Sequence, residues 1–186
     1  MLQRRAFIAA TLAGSGLAAR GAEDAEAWLR RGGVVVAFRH ALAPGTFDPP
    51  GFRLGDCSTQ RNLNDEGRAQ ASQLGSWFAA RSLKPARVLS SPWCRCIDTA
   101  ALAFGTHEIE PALGSPRGAS ETTNEASLRR LRGGLAAARS GQFEVWITHM
   151  FVLSALVGEG TASGEGLVLR ASTSGAPELL ARLRLS

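Results

Sequence analysis

Two apolar runs that each end in histidine constrain the fold of this chain more than any other feature. The first, VVVAFRH, ends at His40, and the second, FEVWITH, ends at His149. Continuous apolar runs rich in β-branched residues are typical of strands that are covered on both faces of a sheet. Both histidines are therefore expected directly after buried strands.

The segments between and around these strands alternate between helical and extended patterns. Helices are predicted near 22–31, 64–81, 95–104, 128–138 and 150–159, and further strands near 87–90, 107–110, 167–170 and 179–185. Strands that alternate with helices predict an α/β fold with a mostly parallel central sheet and helices on both sides, which makes three layers, α/β/α.

Four side chains are expected to meet at one edge of this sheet. His40 and His149 follow their strands, Arg39 precedes His40, and Arg95 lies in the first turn of the helix after the 87–90 strand. The carboxyl ends of parallel strands share one edge, where ligands of such folds bind. Neutral imidazole is a nucleophile, and paired guanidinium groups bind phosphoryl oxygens; a second histidine, when protonated, adds a donor. The pattern predicts a phosphate site.

These residues also stand in a recognisable order of motifs. Arg39-His40-Ala41 resembles the Arg-His-Gly signature of the histidine phosphatase superfamily, which includes the phosphoglycerate mutases. The later motifs that match are Leu63-Asn64 with Gly67 and Gln70-Ala71, Ser90-Ser91-Pro92 with Arg95 and Thr99-Ala100, and Thr148-His149. The resemblance runs from about Val34 to Arg170 and implies a phosphoglycerate mutase-like fold.

The resemblance also implies a mechanism. His40 would be the nucleophile that is phosphorylated and then hydrolysed, and Arg39, Arg95 and His149 would form the phosphate pocket. The implied function is a phosphomonoester hydrolase that uses no metal and no cofactor and acts on a small-molecule or glycan phosphomonoester. Ala41 departs from the usual glycine, which a negative φ tolerates.

The general acid and the role of Arg61 remain to be assigned. A leaving alcohol needs a proton from an acid, and Glu121 is preferred for this role over Glu125, because Thr122-x-x-Glu125 fits a helix capping box. If neither glutamate serves, the acid is expected at Asp48 or Asp56 in the long loop. Arg61 either contacts substrate or pairs with an acidic residue, Asp65 or Glu66, near the start of the next helix.

The amino terminus predicts export. Residues 1–21 have the basic start, the apolar run of about 14 residues and the small-residue cleavage site of a signal peptide. Arg4-Arg5 resembles the twin-arginine export signal. The expected mature protein is one domain over 22–186, located in the periplasm. The run is too short for a permanent membrane span.

Charge and cysteine content limit the remaining function classes. Removing residues 1–21 lowers the formal net charge from +5 to +2, which argues against a nucleic-acid partner. In an oxidising compartment two of the three cysteines, Cys57, Cys94 and Cys96, are expected to pair, and the sequence leaves open which two. The sequence does not predict the oligomeric state.

Three other functions compete with the hydrolase. A catalytically idle phosphate-binding protein would keep the pocket and lack the acid. A zinc hydrolase would use His40, His149 and a cysteine, although no ligand spacing supports it. Export away from cytoplasmic sugar phosphates argues against a mutase. The stretch from Asp56 to Leu63 further resembles exported bacterial proteins likened to a lipopolysaccharide-core heptose phosphatase.

Overall fold

A computed structural model describes residues 15–116, 118 and 121–185. Most of the predicted signal peptide, residues 1–21, lies outside the described residues, and its cleavage stays a prediction. In the described part of the chain, no helix is long and apolar enough to cross a membrane.

A six-stranded sheet forms the centre of the molecule. Its strands are β1 (Val34–Arg39), β2 (Arg87–Ser90), β3 (Glu108–Ile109), β4 (Phe143–Thr148), β5 (Gly166–Ala171) and β6 (Pro177–Leu183). The spatial order is β3-β2-β4-β1-β5-β6. The first four strands are mutually parallel, whereas β5 runs antiparallel to β1 and β6 antiparallel to β5. The mostly parallel sheet predicted from the sequence is confirmed.

Helices cover both faces of the sheet. They are α1 (Ser15–Arg31), α2 (Asp65–Ala80), α3 (Cys94–Phe104), α4 (Glu125–Ala136) and α5 (Met150–Val157), with short 3₁₀ turns at Cys57–Thr59 and Pro111–Leu113. The first three pack with Val34, Val36 and Phe38 of β1 in one core. The other two pack with Val35 and Ala37 in a second core. Both faces of β1 are therefore buried, as its uninterrupted apolar run predicts.

The strand register brings the two predicted histidines side by side. Arg39, the last residue of β1, pairs with Thr148, the last residue of β4. Ser90, at the end of β2, pairs with Ile147 of β4. Three adjacent parallel strands thus end at the same level, and each continues directly into a segment that carries a predicted site residue.

Asparagine side chains cap two of the helices. Asn64 caps α2, and its side chain accepts a hydrogen bond from Gly67 N at 2.8 Å. The predicted capping box is wrong: Asn124 caps α4 by accepting from Ser127 N at 2.9 Å, so Glu125 is the first residue of the helix. Asparagine is a strong N-cap residue and stands closer to the apolar pattern than the threonine of the box. Exposed Glu125 pairs with Arg132 instead, at 3.6 Å.

One glycine in α2 lets the helix approach the end of β1. A Cβ at Gly67 would collide with the carbonyl oxygen of Leu42. Leu42 N donates to Gln70 Oε1 at 3.0 Å on the same helix. Helix α2 therefore supports the start of the 41–62 segment, which leaves β1 directly after His40. This segment is called the site loop below.

Candidate active site

Backbone hydrogen bonds extend the sheet pairing beyond the strand ends. His40 N donates to Thr148 O at 2.9 Å, and Ser91 N donates to Ile147 O at 2.9 Å. The rings of His40 and His149 lie 5.4 Å apart between centroids, in an edge-on arrangement. The backbone itself therefore fixes the separation of the two histidines.

The contacts of His40 determine which ring nitrogen carries the proton. Its Nδ1 lies 2.7 Å from Ala41 O, which can only accept, so Nδ1 donates. Arg95 Nε donates to His40 Nε2 at 3.2 Å, and this contact requires a lone pair on Nε2. Ala41 is not among the residues with positive φ, so the alanine strains nothing at this turn. The unprotonated nitrogen of His40 thus faces the arginine of the site.

Burial keeps His40 neutral. The residue is only 3% exposed. Burial, and next the positive charge of Arg95, lower the pKa of His40 to about 3. Both effects disfavour the imidazolium form. The Nε2 lone pair is therefore present throughout the neutral pH range, as a nucleophile requires.

His149 is held from one side of its ring. Its Nε2 lies 2.8 Å from Ser91 Oγ and 3.5 Å from Cys96 Sγ, and Phe151 stacks on the ring with centroids 5.0 Å apart. Burial, followed by the nearby His40, places the pKa of His149 well below its usual value. In the unliganded protein His149 is therefore neutral, which differs from the protonated donor considered on sequence grounds.

Arg95 is the most enclosed cation of the site. Its side chain is fully buried, and each of its three guanidinium nitrogens faces a different neighbour. Nε contacts His40, NH1 donates to both carboxylate oxygens of Asp48 at 2.9 and 3.1 Å, and NH2 lies 3.6 Å from Glu121 Oε1. The structure thus brings Arg95 directly onto the predicted nucleophile.

Arg39 and Arg61 complete a cluster of three guanidinium groups. Arg39 NH1 donates to Thr161 O at 2.9 Å. Arg61 NH1 donates to Ala43 O at 2.8 Å and Gly45 O at 2.7 Å, and its NH2 lies 3.3 Å from Glu121 Oε1. Arg61 therefore contacts neither of the acidic neighbours considered in the sequence. Burial chiefly, and then the charges of neighbouring arginines, lower the pKa of Arg39 and of Arg61.

Glu121 lies at the open side of this cluster. Its carboxylate contacts Arg61 and Arg95, and its side chain is 25% exposed. The structure thus places Glu121 beside the predicted phosphate pocket and places Glu125 on the surface of α4. His107, the third histidine, lies after α3 and makes none of these contacts.

Sequence reasoning considers Asp48 only as a fallback general acid, and it does not select Ser91 as a site residue. Asp48 stands in a loop with no periodic pattern, yet both its oxygens accept from Arg95. The hydroxyl group of Ser91 contacts His149. Ser91 belongs to one of the matching motifs, but the motif does not indicate this role. The signal that could have identified Ser91 is its position directly after β2, beside the strand that precedes His149.

A disulfide joins the site loop to the start of α3. Cys57 and Cys94 are bonded, whereas Cys96 is free and buried. Burial raises the pKa of the Cys96 thiol to about 12, so the thiol stays protonated. Within the described ranges, no group of three or more His, Cys, Asp or Glu side chains is arranged to hold a metal ion. The disulfide ends one residue before Arg95, so it fixes the loop against the helix turn that carries this arginine.

Several buried nitrogen atoms of the site have no hydrogen-bond partner. Among the described residues, seven buried side-chain polar atoms are unpartnered, and four belong to the predicted pocket: Arg39 Nε, Arg61 Nε, Arg95 NH2 and His149 Nδ1. Buried polar groups are normally paired, because an unpaired group costs free energy. The arrangement is suited to an anion that offers several acceptor oxygens.

Comparison with known proteins supports the same fold. The model of the histidine phosphatase superfamily (branch 1) matches residues 55–117, about a third of the chain. This match includes Arg61 and Arg95 and does not extend to His40 or His149. No curated protein matches the sequence.

Solved structures match most of the chain. One is a candidate phosphohistidine phosphatase, SixA, from Agrobacterium tumefaciens, at 22% identity and a TM-score of 0.56, covering 82% of this chain and 98% of that chain. Another is a phosphoglycerate mutase from Thermus thermophilus, at 21% identity and a TM-score of 0.56, covering 82% and 99%. A third is a candidate alpha-ribazole-5′-phosphate phosphatase from Escherichia coli, at 15% identity and a TM-score of 0.57, covering 82% and 98%.

The names of these three proteins refer to different substrates, so they establish the fold of this chain and not its substrate. The chain therefore has a phosphoglycerate mutase-like α/β fold and matches, over residues 55–117, the histidine phosphatase superfamily.

Proposed function

We propose that this protein is a histidine phosphatase that hydrolyses phosphomonoesters through a phosphohistidine intermediate on His40. The observation that carries the proposal is the set of four unpartnered buried nitrogens on Arg39, Arg61, Arg95 and His149, whose side chains lie around His40. A phosphate group offers the acceptor oxygens that these donors lack. The fold and the partial family match agree with this activity.

The first step is a transfer of the phosphoryl group to His40. The entering phosphate takes over the hydrogen bond of Arg95 Nε, which frees the Nε2 lone pair of His40. This lone pair then forms the bond to phosphorus while the bond from phosphorus to the ester oxygen breaks. Guanidinium and imidazole donors around the phosphate stabilise the charge on its oxygens in the transition state. With the Ser91 hydroxyl donating to Nε2 of His149, Nδ1 of His149 carries the proton and donates to a phosphate oxygen. The low pKa of His149 is compatible with this role, because a neutral ring also donates through its N–H.

The departing alcohol takes its proton from Glu121. This carboxyl group is the acidic side chain at the open side of the pocket, where a leaving group would lie. Water then attacks phosphorus and gives a proton back to the Glu121 carboxylate, while the bond from phosphorus to Nε2 breaks, and inorganic phosphate and free His40 result.

Export to the periplasm is part of the same proposal. The signal-like residues 1–21 support it, and so does the Cys57–Cys94 disulfide, since such bonds persist in oxidising compartments. N-terminal sequencing of the protein recovered from a periplasmic fraction is expected to begin near Ala22. Full-length chain confined to the cytoplasm would contradict this localisation.

A substrate panel tests the proposed function. The purified protein should hydrolyse an aryl phosphate and at least some alkyl and sugar phosphomonoesters, including a heptose phosphate as the substrate class suggested by the sequence. Arg95→Ala should weaken both substrate turnover and inhibition by inorganic phosphate, because a guanidinium group binds ground state and transition state alike. Phosphate binding without turnover of even the aryl phosphate would identify an idle phosphate-binding protein instead.

A further inference from the structure

The buried contact between Asp48 and Arg95 is the strongest ion pair of the site that the proposed reaction does not use. Both side chains are fully buried, and the carboxylate binds the NH1 edge of the guanidinium through both oxygens. Both carboxylate oxygens contact the single nitrogen NH1, and Nε contacts His40, so Arg95 is held at two of its three guanidinium nitrogens, which restricts the rotation of its planar group. The remaining nitrogens, Nε and NH2, are thereby directed to His40 and to the open side of the pocket.

Asp48 is itself fixed by two further donors. Arg61 N donates to its Oδ1 at 2.9 Å, and Trp93 Nε1 donates to its Oδ2 at 3.2 Å. The first contact joins the two ends of the site loop, and the second ties the loop to the residue that precedes α3. Because donors occupy both oxygens, Asp48 has no free position from which to protonate a leaving group. Its geometry suits a fixed acceptor and not a general acid.

The charge of Asp48 matters as well. Three guanidinium groups, those of Arg39, Arg61 and Arg95, are gathered in a largely buried space, and their mutual repulsion contributes to the lowered pKa values of the first two. A buried charge without a partner is strongly unfavourable. Asp48 supplies the partner for the most buried of the three through NH1, so it offsets charge without occupying NH2, which has no hydrogen-bond partner.

We propose that Asp48 is the positioning residue for Arg95, and that it acts on phosphate binding and phosphoryl transfer only through the orientation of this guanidinium group. The inference rests on the proposed function for its kinetic consequences. Without Asp48, NH1 of Arg95 is free to rotate towards Glu121 or the phosphate, and the contact between Nε and His40 is lost. Replacing Asp48 should therefore have no effect on phosphate binding or turnover in a protein that already lacks Arg95.

A double-mutant cycle tests this dependence. Asp48→Asn replaces one acceptor oxygen with a donor that faces guanidinium and indole donors. In the wild-type background it should lower kcat/KM for an aryl phosphate by roughly 10²-fold and raise the inhibition constant of inorganic phosphate. In the Arg95→Ala background the same change should alter both values by less than about threefold, because partners in one network are not additive. Equal effects in both backgrounds would overturn the proposal.

Controls separate positioning from general damage. Asp56→Asn changes another aspartate of the same loop, which caps the Cys57–Thr59 turn and pairs with exposed Arg53, and it should leave kcat/KM within about twofold. Thermal unfolding of each variant shows whether it folds. Should Asp48→Asn not fold, Asp48→Glu, which retains the charge and displaces the two oxygens, is placed in the same cycle with the same expectation of dependence on Arg95.

The assay also distinguishes this inference from the proposed function. A wild-type protein that binds inorganic phosphate without hydrolysing any ester would refute the phosphatase, and Asp48 is then tested by calorimetric phosphate affinity in the same four variants. A wild-type protein that neither hydrolyses esters nor binds phosphate would overturn both.

Discussion

The candidate site consists of two parts that are built by different means. One part, the strand-end part, comprises Arg39, His40 and His149 and is placed by the backbone of β1 and β4. The other, the loop part, comprises Asp48 and Arg61 of the site loop together with Glu121. Side-chain contacts and the Cys57–Cys94 disulfide hold the loop part.

Arg95 lies between the two parts and contacts both. On one edge it touches His40 of the strand-end part, and on the other it pairs with Asp48 of the loop part. The two parts therefore have different roles in the site. Rigid strand ends fix the reacting atoms, while the loop sets the orientation and balance of charge around them. Changes in the strand-end part should therefore affect the chemical step, and changes in the loop part should mainly affect binding and the leaving group.

Apart from replacement of His40 itself, the largest of these effects is expected from His149→Ala. Loss of a buried donor to the transferring phosphoryl group should lower kcat by a factor on the order of hundreds or more, measured in single turnovers. Ser91→Ala is the matched variant, because it removes only the hydroxyl that orients the ring, and it should cost about tenfold. A ring that serves packing alone would give the opposite result, with kcat nearly normal in His149→Ala.

The next effect concerns Glu121 in the loop part. Glu121→Gln should lower kcat for alkyl phosphates by about 10²-fold and leave aryl phosphates within a few-fold, because only poor leaving groups need a proton. Glu125→Gln is the control on α4 and should change neither activity nor, by more than about 0.5 kcal/mol, the free energy of unfolding, since it closes no capping box. Equal losses for alkyl and aryl esters would assign Glu121 to phosphate binding instead.

Reduction of the disulfide should give a smaller effect. Treatment with dithiothreitol should raise KM about tenfold and leave kcat within a few-fold, because the site loop is loosened and the strand ends are not. The double variant Cys57→Ser/Cys94→Ser should show the same KM without reductant and no further change with it. By chain entropy, closing a loop between these positions contributes about 4 kcal/mol to the stability of the fold. A fall in kcat with unchanged KM would contradict the proposed difference in role between the loop part and the strand-end part.

The last effect is on stability and not on activity, and it depends on pH. The pKa of His40 is about 3 in the folded protein and about 6.5 in an unfolded chain, so between these values the unfolded state binds more protons. The free energy of unfolding should therefore fall as the pH drops from about 6.5 towards 3, by up to about 1.4 kcal/mol per pH unit from this histidine. Denaturant unfolding across this range should show a shallower slope for His40→Gln. An equal slope would mean that His40 is not buried as a neutral ring.

The strand-end part of the site is more predictable from sequence than the loop part, for a physical reason. Both histidines follow continuous apolar runs, and such a run is visible within a few neighbouring residues of the sequence. The order of the strands and their level ends, with Arg39 opposite Thr148, then follow from pairing across the sheet. The fold class is predictable for the same reason. The antiparallel strands β5 and β6 lie at one edge of the sheet and do not change this class.

The loop part depends on contacts between segments far apart in the chain. Asp48 meets Arg95 across 47 positions, and Arg61 meets Glu121 across 60. Such distant contacts leave no periodic pattern in the sequence, so neither the role of Asp48 nor the partner of Arg61 is predictable from it. The pairing of Cys57 with Cys94 is undetermined by sequence for the same reason. The capping-box error at Glu125 is of another kind, since two N-cap signals overlap within three residues.

The central claim, a covalent intermediate on His40, is tested most directly by trapping it. Rapid mixing with a phosphomonoester labelled in the phosphate, followed by a quench that avoids acid, should give a protein-bound phosphate that is labile in acid and maps to His40. His40→Ala should lose both the label and turnover, whereas His149→Ala should retain the label and form it more slowly. Near-normal turnover in His40→Ala, or turnover of the wild-type protein with no label at His40, would contradict the account.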